Sequence, residues 1–217
     1  MRMLKLIIVR HCETQGNEQK IFQGNTETPV NSNGYFQLGL LSARLENEKI
    51  DAIYSSPQER AITTAKAINE FHNVKIITKN DLREINIGGF EKKNIEQVAK
   101  LFPNEARTWN EKFYDFKAPN GESIKEVFKR VSNSLGEIIS ENDNKTVAVI
   151  SHGCSIRAMM CYLLGKKLEE IADVPLGTNT AVSIVEIDKN ENRVIAMSDT
   201  SHLPKKMRNK KHLLFKL

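Results

Sequence analysis

The sequence predicts an α/β fold, a three-layer αβα sandwich whose central sheet is mostly parallel and includes an antiparallel strand. Residues 4–9 and 146–150 are apolar runs with little polar interruption, a pattern typical of central strands buried on both faces. Between these runs, segments with helical spacing of apolar residues alternate with further short apolar runs, which indicates a parallel sheet between helices. The last two runs lie close together and suit an antiparallel hairpin.

The predicted strands follow the apolar runs along the chain. They cover residues 4–9, 50–54, 74–78, 146–150, 181–187 and 194–198, with the hairpin turn at 188–192. Apolar residues at helical spacing predict helices over 34–49, 94–102, 104–114 and 153–165. Polar residues, Gly and Pro predict loops over 15–32 and 82–90 and a turn at 120–121. With the two helices described next, a helix follows each of the first four strands.

Two further helices begin at capping boxes, in which a Ser and a Glu three residues later satisfy free backbone groups of the first turn. Ser56 and Glu59 form the first pair, with Pro57 at the first helical position and a helix that ends near residue 71. Ser123 and Glu126 form the second pair, and the helix that follows has one apolar face. This face comprises Ile124, Val127, Phe128, Val131, Leu135 and Ile138.

Length and composition indicate one globular domain. A chain of 217 residues with 40% hydrophobic and 27% charged residues is long enough for one α/β domain and short for two. Three cysteines are an odd number that does not suit a disulfide framework. The first strand leaves no room for a signal peptide, and no apolar run approaches the ~20 residues that cross a bilayer. We therefore expect a cytoplasmic protein, either a monomer or a homodimer, with no membrane partner.

The net charge of +5 does not by itself indicate nucleic-acid binding. Much of the excess lies in residues 205–212, within a basic C-terminal tail at about 203–217. Elsewhere acids and bases are interspersed, and no aromatic residues alternate with the basic ones as in a single-strand binding groove. We expect no nucleic-acid partner and interpret the tail as a solvated or loosely packed terminus.

Polar residues follow the carboxyl ends of four predicted strands. Arg10 and His11 follow the first strand, and Arg60 lies in the first turn of the helix after the second. Glu84 follows the third strand and His152 the fourth. Ligands of α/β folds bind outside this edge of the sheet, so the five side chains can converge on one pocket. Arg supplies paired donors to a phosphate, and His can attack it or carry protons.

Each of these residues also has a purely structural interpretation. His11 alone is equally typical of a hydrogen-bonded histidine at a strand end, and Arg60 can pair with an acid on its own helix. For Glu84 there are three competing carboxylates, Glu13, Glu91 and Glu122.

Residues 10–17, Arg-His-Cys-Glu-Thr-Gln-Gly-Asn, resemble the Arg-His-Gly-Glu-Thr-x-x-Asn signature of the histidine phosphatase superfamily, also called the phosphoglycerate mutase-like family. Further motifs follow in the family's order and spacing. They are Phe22-Gln23-Gly24 with Gly34, Ser55-Ser56-Pro57 with Arg60, Thr64 and Ala65, Leu82-Arg83-Glu84, Gly121-Glu122-Ser123, Ser151-His152-Gly153 and Asn179-Thr180. The resemblance runs from about residue 4 to 200. It implies a phosphoglycerate mutase-like fold and one histidine phosphatase domain over residues 1–217.

The resemblance also implies a mechanism. His11 resembles the nucleophile that accepts the phosphoryl group, and Glu84 resembles the general acid that protonates the leaving alcohol and then activates water. The residues implied to hold the phosphoryl group or the substrate are Arg10, Asn17, Gln23, Gly24, Arg60, His152 and Gly153. The partner is a small phosphorylated metabolite, and the scheme requires no metal and no other cofactor. An attacking imidazole must be neutral whereas His152 works best as a cation, so we expect separated pKa values.

Two departures from the family pattern leave alternatives open. Cys12 and Lys92 stand where the family has glycine, and a side chain at position 12 costs about 1–2 kcal/mol if φ is positive there. Cys12 is also expected to narrow the pocket floor. These changes leave room for a degenerate member that binds phosphorylated ligands without turnover. A zinc site from His11, Cys12, His152 and Cys154 is a weaker alternative, since adjacent residues chelate awkwardly.

A phosphatase is favoured over a cofactor-dependent phosphoglycerate mutase. A mutase holds a bisphosphorylated intermediate with added basic residues in the central region. That region of this chain has no Arg-Arg pair of the mutase kind. Its basic residues are Lys92, Lys93, Lys100, Arg107, Lys112 and Lys117. Pocket walls in this family come from the variable 90–122 segment, so the substrate stays open.

Two cysteines lie beside the predicted site. Cys12 directly follows His11 and Cys154 lies two residues after His152, so we expect both thiols near the pocket floor. Neighbouring arginines and histidines would favour the thiolate, the form that oxidises. This predicts reversible inhibition by mild peroxide, against the alternative that both are small buried packing residues.

Overall fold

The structure is a computed structural model that describes residues 3–188 and 191–208, and six strands in these residues form one sheet. The strands are β1 (Leu4–Arg10), β2 (Ala52–Ser55), β3 (Ile76–Thr78), β4 (Thr146–Ser151), β5 (Val182–Ile187) and β6 (Asn192–Asp199). Their order across the sheet is β3-β2-β4-β1-β5-β6. The first four strands of this order are parallel, β5 is antiparallel to β1, and β6 is antiparallel to β5. Within the described sheet only β5 runs against the rest, which confirms the predicted fold class.

Six of the eight described helices occupy segments in which helices are predicted, with ends that differ by a few residues, while α1 and α8 are not predicted. They are α1 (Gln15–Glu18), α2 (Ser32–Leu45), α3 (Glu59–Asn69), α4 (Ile95–Leu101), α5 (Pro103–Glu111), α6 (Ile124–Glu141), α7 (Gly153–Leu163) and α8 (Lys205–Arg208). Short 3-10 turns lie at Asn80–Leu82, Gly88–Phe90, Phe113–Asp115 and Leu168–Asp173. Among the helices of residues 3–188 and 191–208, none is long and apolar enough to cross a bilayer.

The two faces of the sheet are covered by different helices, which makes three layers. Ile7 and Val9 of β1 pack with apolar residues of α2 and α3 on one face. Leu6 and Ile8 pack with α6 and α7 on the other. The central strands β1 and β4 are therefore buried on both faces, as their unbroken apolar runs predict. We propose from this arrangement that the chain forms a single domain.

The second predicted capping box is confirmed. The Ser123 hydroxyl accepts from the backbone N–H of Glu126, and the Glu126 carboxylate accepts from the backbone N–H of Ser123. The helix α6 that begins there buries five of the six residues of its predicted apolar face, while Phe128 is half-buried. The capping box thus starts the longest described helix at the correct residue.

Two local predictions are wrong. The segment 15–32 is not all loop, because Thr14 and Asn17 form a capping box that begins the four-residue helix α1. Ser56 does not cap a helix with Glu59, because α3 begins at Glu59 itself. The Ser56 hydroxyl instead bonds Nε2 of His152 at 2.7 Å. The local pattern assigns the Ser56 hydroxyl to the start of a helix, but in the structure it bonds His152, a residue distant in sequence.

Of the two positions where the family has glycine, only Lys92 has a left-handed backbone. Its φ is 61°, whereas Cys12 is not among the described residues with positive φ. A side chain in the left-handed region costs about 1–2 kcal/mol. The backbone strain considered for Cys12 is therefore absent there and present at Lys92, two residues after the 3-10 turn Gly88–Phe90.

The last part of the chain is packed as far as it is described. Leu203 and Met207 are buried while Lys205 and Lys206 are exposed, so residues 203–208 form an anchored segment rather than a loose one. Residues 209–217 of the predicted basic tail lie outside the described residues. The antiparallel pairing of β5 with β6 confirms the predicted hairpin. Residues 189–190 of its turn also lie outside the described residues.

Helix α2 offers a matched pair of glycines for testing how closely it packs on the loop after β1. A Cβ at Gly34 would overlap the backbone carbonyl oxygen of Glu13, whereas a Cβ at the exposed Gly39 meets nothing within 4 Å. We expect Gly34→Ala to lower the free energy of unfolding by about 1–3 kcal/mol. The same change at Gly39 should raise it by about 0.5–1 kcal/mol, because Ala favours helix.

Urea unfolding of the two variants and the wild type measures both effects. An unchanged or raised stability of Gly34→Ala would contradict the close approach of α2 to Glu13.

Candidate active site

A cavity of about 480 Å³ lies at the carboxyl end of the parallel strands. Arg10, His11, Arg60 and Glu84 all line it, so residues predicted from separate strand ends do meet. The other predicted site residues along its wall are Asn17, Gln23, Gly24 and Gly153. His152 does not line the cavity and lies behind His11.

The pairing of β1 with β4 places the two histidines side by side. Arg10 is opposite Ser151 in this parallel pair, and the backbone N–H of His11 donates to the carbonyl of Ser151 at 2.9 Å. The next residues, His11 and His152, therefore leave adjacent strands at the same level. Their ring centroids are 5.0 Å apart, close to the spacing of neighbouring strands.

Hydrogen bonds determine the protonated nitrogen of each ring. Nδ1 of His11 lies 2.7 Å from the carbonyl oxygen of Cys12, so Nδ1 carries the proton and Nε2 keeps its lone pair. Nδ1 of His152 accepts from Nε of Arg60 at 3.3 Å, so its Nε2 donates to Ser56. Both imidazoles are thus arranged as neutral rings.

The pKa values of the two histidines are shifted in the same direction. Burial lowers the pKa of His11 well below its ordinary value, and the charges of Arg60 and Arg10 lower it further. Burial, Arg60, the neighbouring His11 and Arg10 lower the pKa of His152 in the same direction. The expectation of a cationic His152 is therefore wrong for this structure, because burial, and after it the guanidinium charges, acts on both rings.

Arg60 is almost fully buried, and protein acceptors surround its guanidinium. Nη2 donates to the carbonyl of Gly24 at 2.8 Å and Nη1 to that of Thr26 at 3.0 Å. Glu27 lies 3.4 Å from Nη1, and Nε donates to His152. Arg60 thus ties the loop after α1 to the second histidine, and its acidic partner is on that loop rather than on its own helix.

Arg10 lines the cavity together with His11. Its Nη1 donates to the carbonyl of Gly177 at 2.9 Å, and burial lowers its pKa to about 10. Asn179 and Thr180 fix the backbone between Arg10 and Cys12. Asn179 donates its amide to the carbonyl of His11 at 3.0 Å, and Thr180 donates its backbone N–H to the carbonyl of Arg10 at 3.1 Å.

Glu84 is held by partners outside its own segment. Oε1 accepts from the backbone N–H of Cys154 at 3.1 Å, and the backbone N–H of Glu84 donates to Oε1 of Gln58 at 2.9 Å. Arg130 of α6 donates to the carbonyls of Asp81, at 2.6 Å, and of Arg83 and Glu84, and it pairs with Glu122. These bonds set the carboxylate beside the first turn of α7.

The three polar loop positions contribute to the structure of the wall. Oδ1 of Asn17 accepts from the backbone N–H of Thr14 at 3.1 Å, and Oε1 of Gln23 accepts from the Thr14 and Thr28 hydroxyls. Gly24 has φ 51°, and a Cβ there would meet the carboxylate of Glu91. Its carbonyl accepts from Gln58 as well as Arg60. All three positions line the cavity while holding its loop together.

The cysteines do not fit the redox hypothesis. Cys12 is fully buried and does not line the cavity, and burial raises its pKa to about 11. Cys154 lines the cavity, and burial followed by the charge of Glu84 raises its pKa well above its ordinary value. The expectation that arginines favour the thiolate is therefore wrong, because desolvation outweighs their charges. Cys12 does not narrow the cavity floor either.

The described residues contain no cluster of three or more His, Cys, Asp or Glu side chains that could hold a metal ion. The candidate zinc set of His11, Cys12, His152 and Cys154 is therefore not assembled within residues 3–188 and 191–208.

Sequence reasoning missed several residues of the site. Trp109 and Phe113 form an aromatic part of the wall, and Arg157 adds a third guanidinium. The signal for Arg157 was its position four residues after Gly153, on the same face of a predicted helix. For Gln58 and Arg130, which hold Glu84, we find no local signal, because their partners are distant in sequence.

Comparison with known proteins gives consistent matches along the chain. The family model of the histidine phosphatase superfamily (branch 1) matches residues 6–200. Phosphoserine phosphatase 1 of Hydrogenobacter thermophilus is 33% identical over 201 residues, which cover 93% of this chain and 95% of that protein.

Two solved structures have the same fold. YhfR of Bacillus stearothermophilus superposes with a TM-score of 0.87 at 26% identity, covering 92% of this chain and 98% of that one. Phosphoserine phosphatase of Entamoeba histolytica, in complex with 3-phosphoglyceric acid, gives a TM-score of 0.82 at 26% identity and covers 93% and 100%.

The lowered histidine pKa values predict a loss of stability in mild acid. Below pH 6.5 an unfolded histidine binds a proton that His11 and His152 do not bind in the folded chain. The free energy of unfolding should therefore fall as the pH drops from 6.5 toward the folded pKa values, by up to ~1.4 kcal/mol per pH unit for each ring.

Urea unfolding between pH 7.5 and 5 measures this slope. His11→Asn should make it shallower, while His72→Gln, a change outside the site, should leave it as in the wild type. Equal slopes for the wild type and His11→Asn would contradict the assignment.

Proposed function

Because the chain is a phosphatase that belongs to the histidine phosphatase superfamily, we propose that it hydrolyses small phosphomonoesters through a phosphohistidine at His11. The observation that carries this proposal is the state of the His11 ring. Its Nδ1–H donates to the Cys12 carbonyl, and its lowered pKa keeps Nε2 free of a proton. A neutral, oriented imidazole in a cavity lined by guanidinium groups has the properties of a nucleophile toward phosphorus.

In the first step, Nε2 of His11 forms a bond to phosphorus and the bond from phosphorus to the ester oxygen breaks. Arg10 and Arg60 balance the charge of the phosphoryl oxygens, which is otherwise the main barrier to attack, and the amide nitrogen of Asn17 donates a hydrogen bond to them. Asn17 suits this role because its oxygen already accepts from Thr14 and Asn179. His152 acts as a positioning residue, since it bonds Arg60 and packs against His11. Gln23, Gly24 and Gly153 shape the wall around the substrate.

Glu84 supplies the proton that the departing alkoxide needs and then removes a proton from the water that attacks phosphohistidine. The second step breaks the bond between phosphorus and His11 and releases inorganic phosphate. Glu84 is supported over the competing carboxylates by the structural partners of the other three, although Glu13 also lines the cavity. Glu13 bonds Asn31 and Asn33, Glu122 pairs with Arg130, and the carboxylate of Glu91 caps the Asn25 backbone.

The lining of the cavity supports hydrolysis rather than phosphoryl transfer between two positions. The 90–122 segment contributes Trp109 and Phe113 to the described lining, and none of its six basic residues. A bisphosphorylated intermediate would need several cations there. A degenerate member without turnover would lack a catalytic group, whereas His11, Arg60 and Glu84 line one cavity with His152 behind them.

The substrate is a small phosphorylated metabolite in this proposal. The relative named as a phosphoserine phosphatase and the solved structure that holds 3-phosphoglyceric acid support that class. We also propose a cytoplasmic location, because Cys12, Cys154 and Cys161 are all free thiols. A monomer or homodimer stays a prediction.

Removal of the nucleophile should abolish the covalent intermediate. Acid-sensitive label should appear on the wild type after rapid mixing with 32P-labelled substrate, and not on His11→Ala. Turnover of that variant should fall by at least about 10³-fold. His72→Ala, a histidine outside the cavity, should keep both label and turnover. Full activity of His11→Ala would contradict the mechanism.

Replacement of the proton donor should depend on the leaving group. Glu84→Gln should slow an alkyl phosphate by about 10²–10⁴-fold, and p-nitrophenyl phosphate far less, because nitrophenolate needs little protonation. Steady-state kcat with the two substrates measures this difference. Glu13→Gln serves as the control and should show no leaving-group dependence. Equal losses on both substrates in Glu84→Gln would count against Glu84 as the acid.

A further inference from the structure

Arg157 is a buried cation in the cavity whose charge no described side chain balances. Its side chain lines the cavity and the residue is 6% exposed. Nε has no hydrogen-bond partner, and among the ion pairs of residues 3–188 and 191–208 none includes Arg157. A buried charge without a partner is among the costliest arrangements in a folded protein.

Another arginine of the site, Arg60, is arranged differently. Its guanidinium donates to the carbonyls of Gly24 and Thr26, contacts Glu27 and bonds His152. Arg130 likewise pairs with Glu122. Folding alone therefore accounts for the contacts of Arg60 and Arg130, but it supplies no oxygen to Nε of Arg157.

The surroundings of Arg157 are apolar and orient its planar head. The guanidinium carbon lies 5.7 Å from the centre of the Phe113 ring, and the Trp109 ring meets Phe113 edge to face at 4.8 Å. Leu176 and Cys154 line the same cavity. A cation against an aromatic face, in low dielectric, binds a complementary anion more strongly than one at the surface.

The position of Arg157 sets the distance between two anionic groups. It lies one turn after Gly153 in α7, roughly 6 Å along the helix from the turn at which His152 and the phosphoryl site lie. This spacing matches a phosphate ester and a second anion a few bonds away in one small molecule. A single guanidinium balances the single charge of a carboxylate, in a two-bond geometry, better than the double charge of a phosphate.

We propose that Arg157 binds the carboxylate of the substrate, so that the enzyme acts on phosphomonoesters that carry a carboxylate close to the ester. The proposal rests on the proposed phosphatase function and makes Arg157 the residue that selects this class. The other walls, Trp109, Phe113 and Leu176, exclude water from the ion pair.

The test compares O-phosphoserine with O-phosphoethanolamine, which has the same phosphate and amine and lacks the carboxylate. In the wild type, kcat/KM should be higher for O-phosphoserine by at least about 30-fold, the scale of truncating one partner of a buried charged pair. Arg157→Met keeps the apolar stem and removes the charge. It should lower kcat/KM for O-phosphoserine by a similar factor and leave O-phosphoethanolamine within about 3-fold. Arg107→Met, an exposed arginine on α5, should leave both substrates as in the wild type.

A second pair, 3-phosphoglycerate and glycerol 3-phosphate, repeats the comparison with a different carbon skeleton. Arg157→Lys should restore part of the preference, and added guanidinium ion should partly rescue the smaller variant Arg157→Ala with O-phosphoserine only. Thermal unfolding of each variant identifies any that fails to fold. The folded variants then decide whether Arg157 binds the carboxylate. Equal losses on both members of a pair, or no loss on either, would overturn the assignment of Arg157.

The two proposals fail in different ways. If the phosphatase mechanism is wrong, the wild type forms no phosphohistidine with either substrate. If only the inference about Arg157 is wrong, phosphohistidine forms normally and Arg157→Met shows no carboxylate-dependent change. Preference for a second phosphate over a carboxylate, measured by comparing glycerol 1,3-bisphosphate, which has no carboxylate, with 3-phosphoglycerate, would also overturn the proposal.

Discussion

The parallel pairing of β1 with β4 is the constraint on which the site depends. Both strands are buried on two faces, so a shift of one residue would exchange the side chains that pack against α2 and α3 with those that pack against α6 and α7. The register is therefore determined by packing in the core, far from any ligand. It nevertheless decides that His11 and His152 leave the sheet at the same level with their rings in contact. The loop at Asn179 and Thr180 then bonds the backbone between Arg10 and Cys12.

A second theme is the concentration of positive charge in a buried place. Arg10, Arg60 and Arg157 all have lowered pKa values, for which burial is the first cause. Burial, and after it the charges of Arg60 and Arg10, lowers the pKa of both His11 and His152, which suits a nucleophile. The same charges oppose the folded state unless oxygen atoms surround them. For Arg60, the backbone carbonyls of the loop after α1 supply these oxygen atoms. In our proposal, an anionic group of the substrate balances the charge of Arg157. Relief of the unpaired buried charge then contributes to the free energy of substrate binding.

Side chains from distant elements hold the loops of the site in place. The segment around Glu84 has no regular structure beyond the 3-10 turn Asn80–Leu82, yet its carbonyls receive donors from Arg130, from Ser151 and from Ser155. Because a loop has no internal ladder, such bonds are its main source of order. The position of the general acid is thus a property of α6 and α7 as much as of its own segment.

The sequence alone determined the sheet, its helices and the residues that meet at its edge. Unbroken apolar runs identified β1 and β4, and polar residues at strand ends identified Arg10, His11, Arg60 and Glu84, because both signals are local and repeat along the chain. Tertiary structure decided what local signals do not contain. The Ser56 hydroxyl bonds His152 rather than a helix end, and desolvation rather than neighbouring charge sets the pKa of Cys12. Arg157 has no acidic partner within residues 3–188 and 191–208, and this depends on every element packed around it. The burial of a side chain and its hydrogen-bond or ion-pair partners depend on residues that are distant in sequence. They are therefore determined only when the chain is folded.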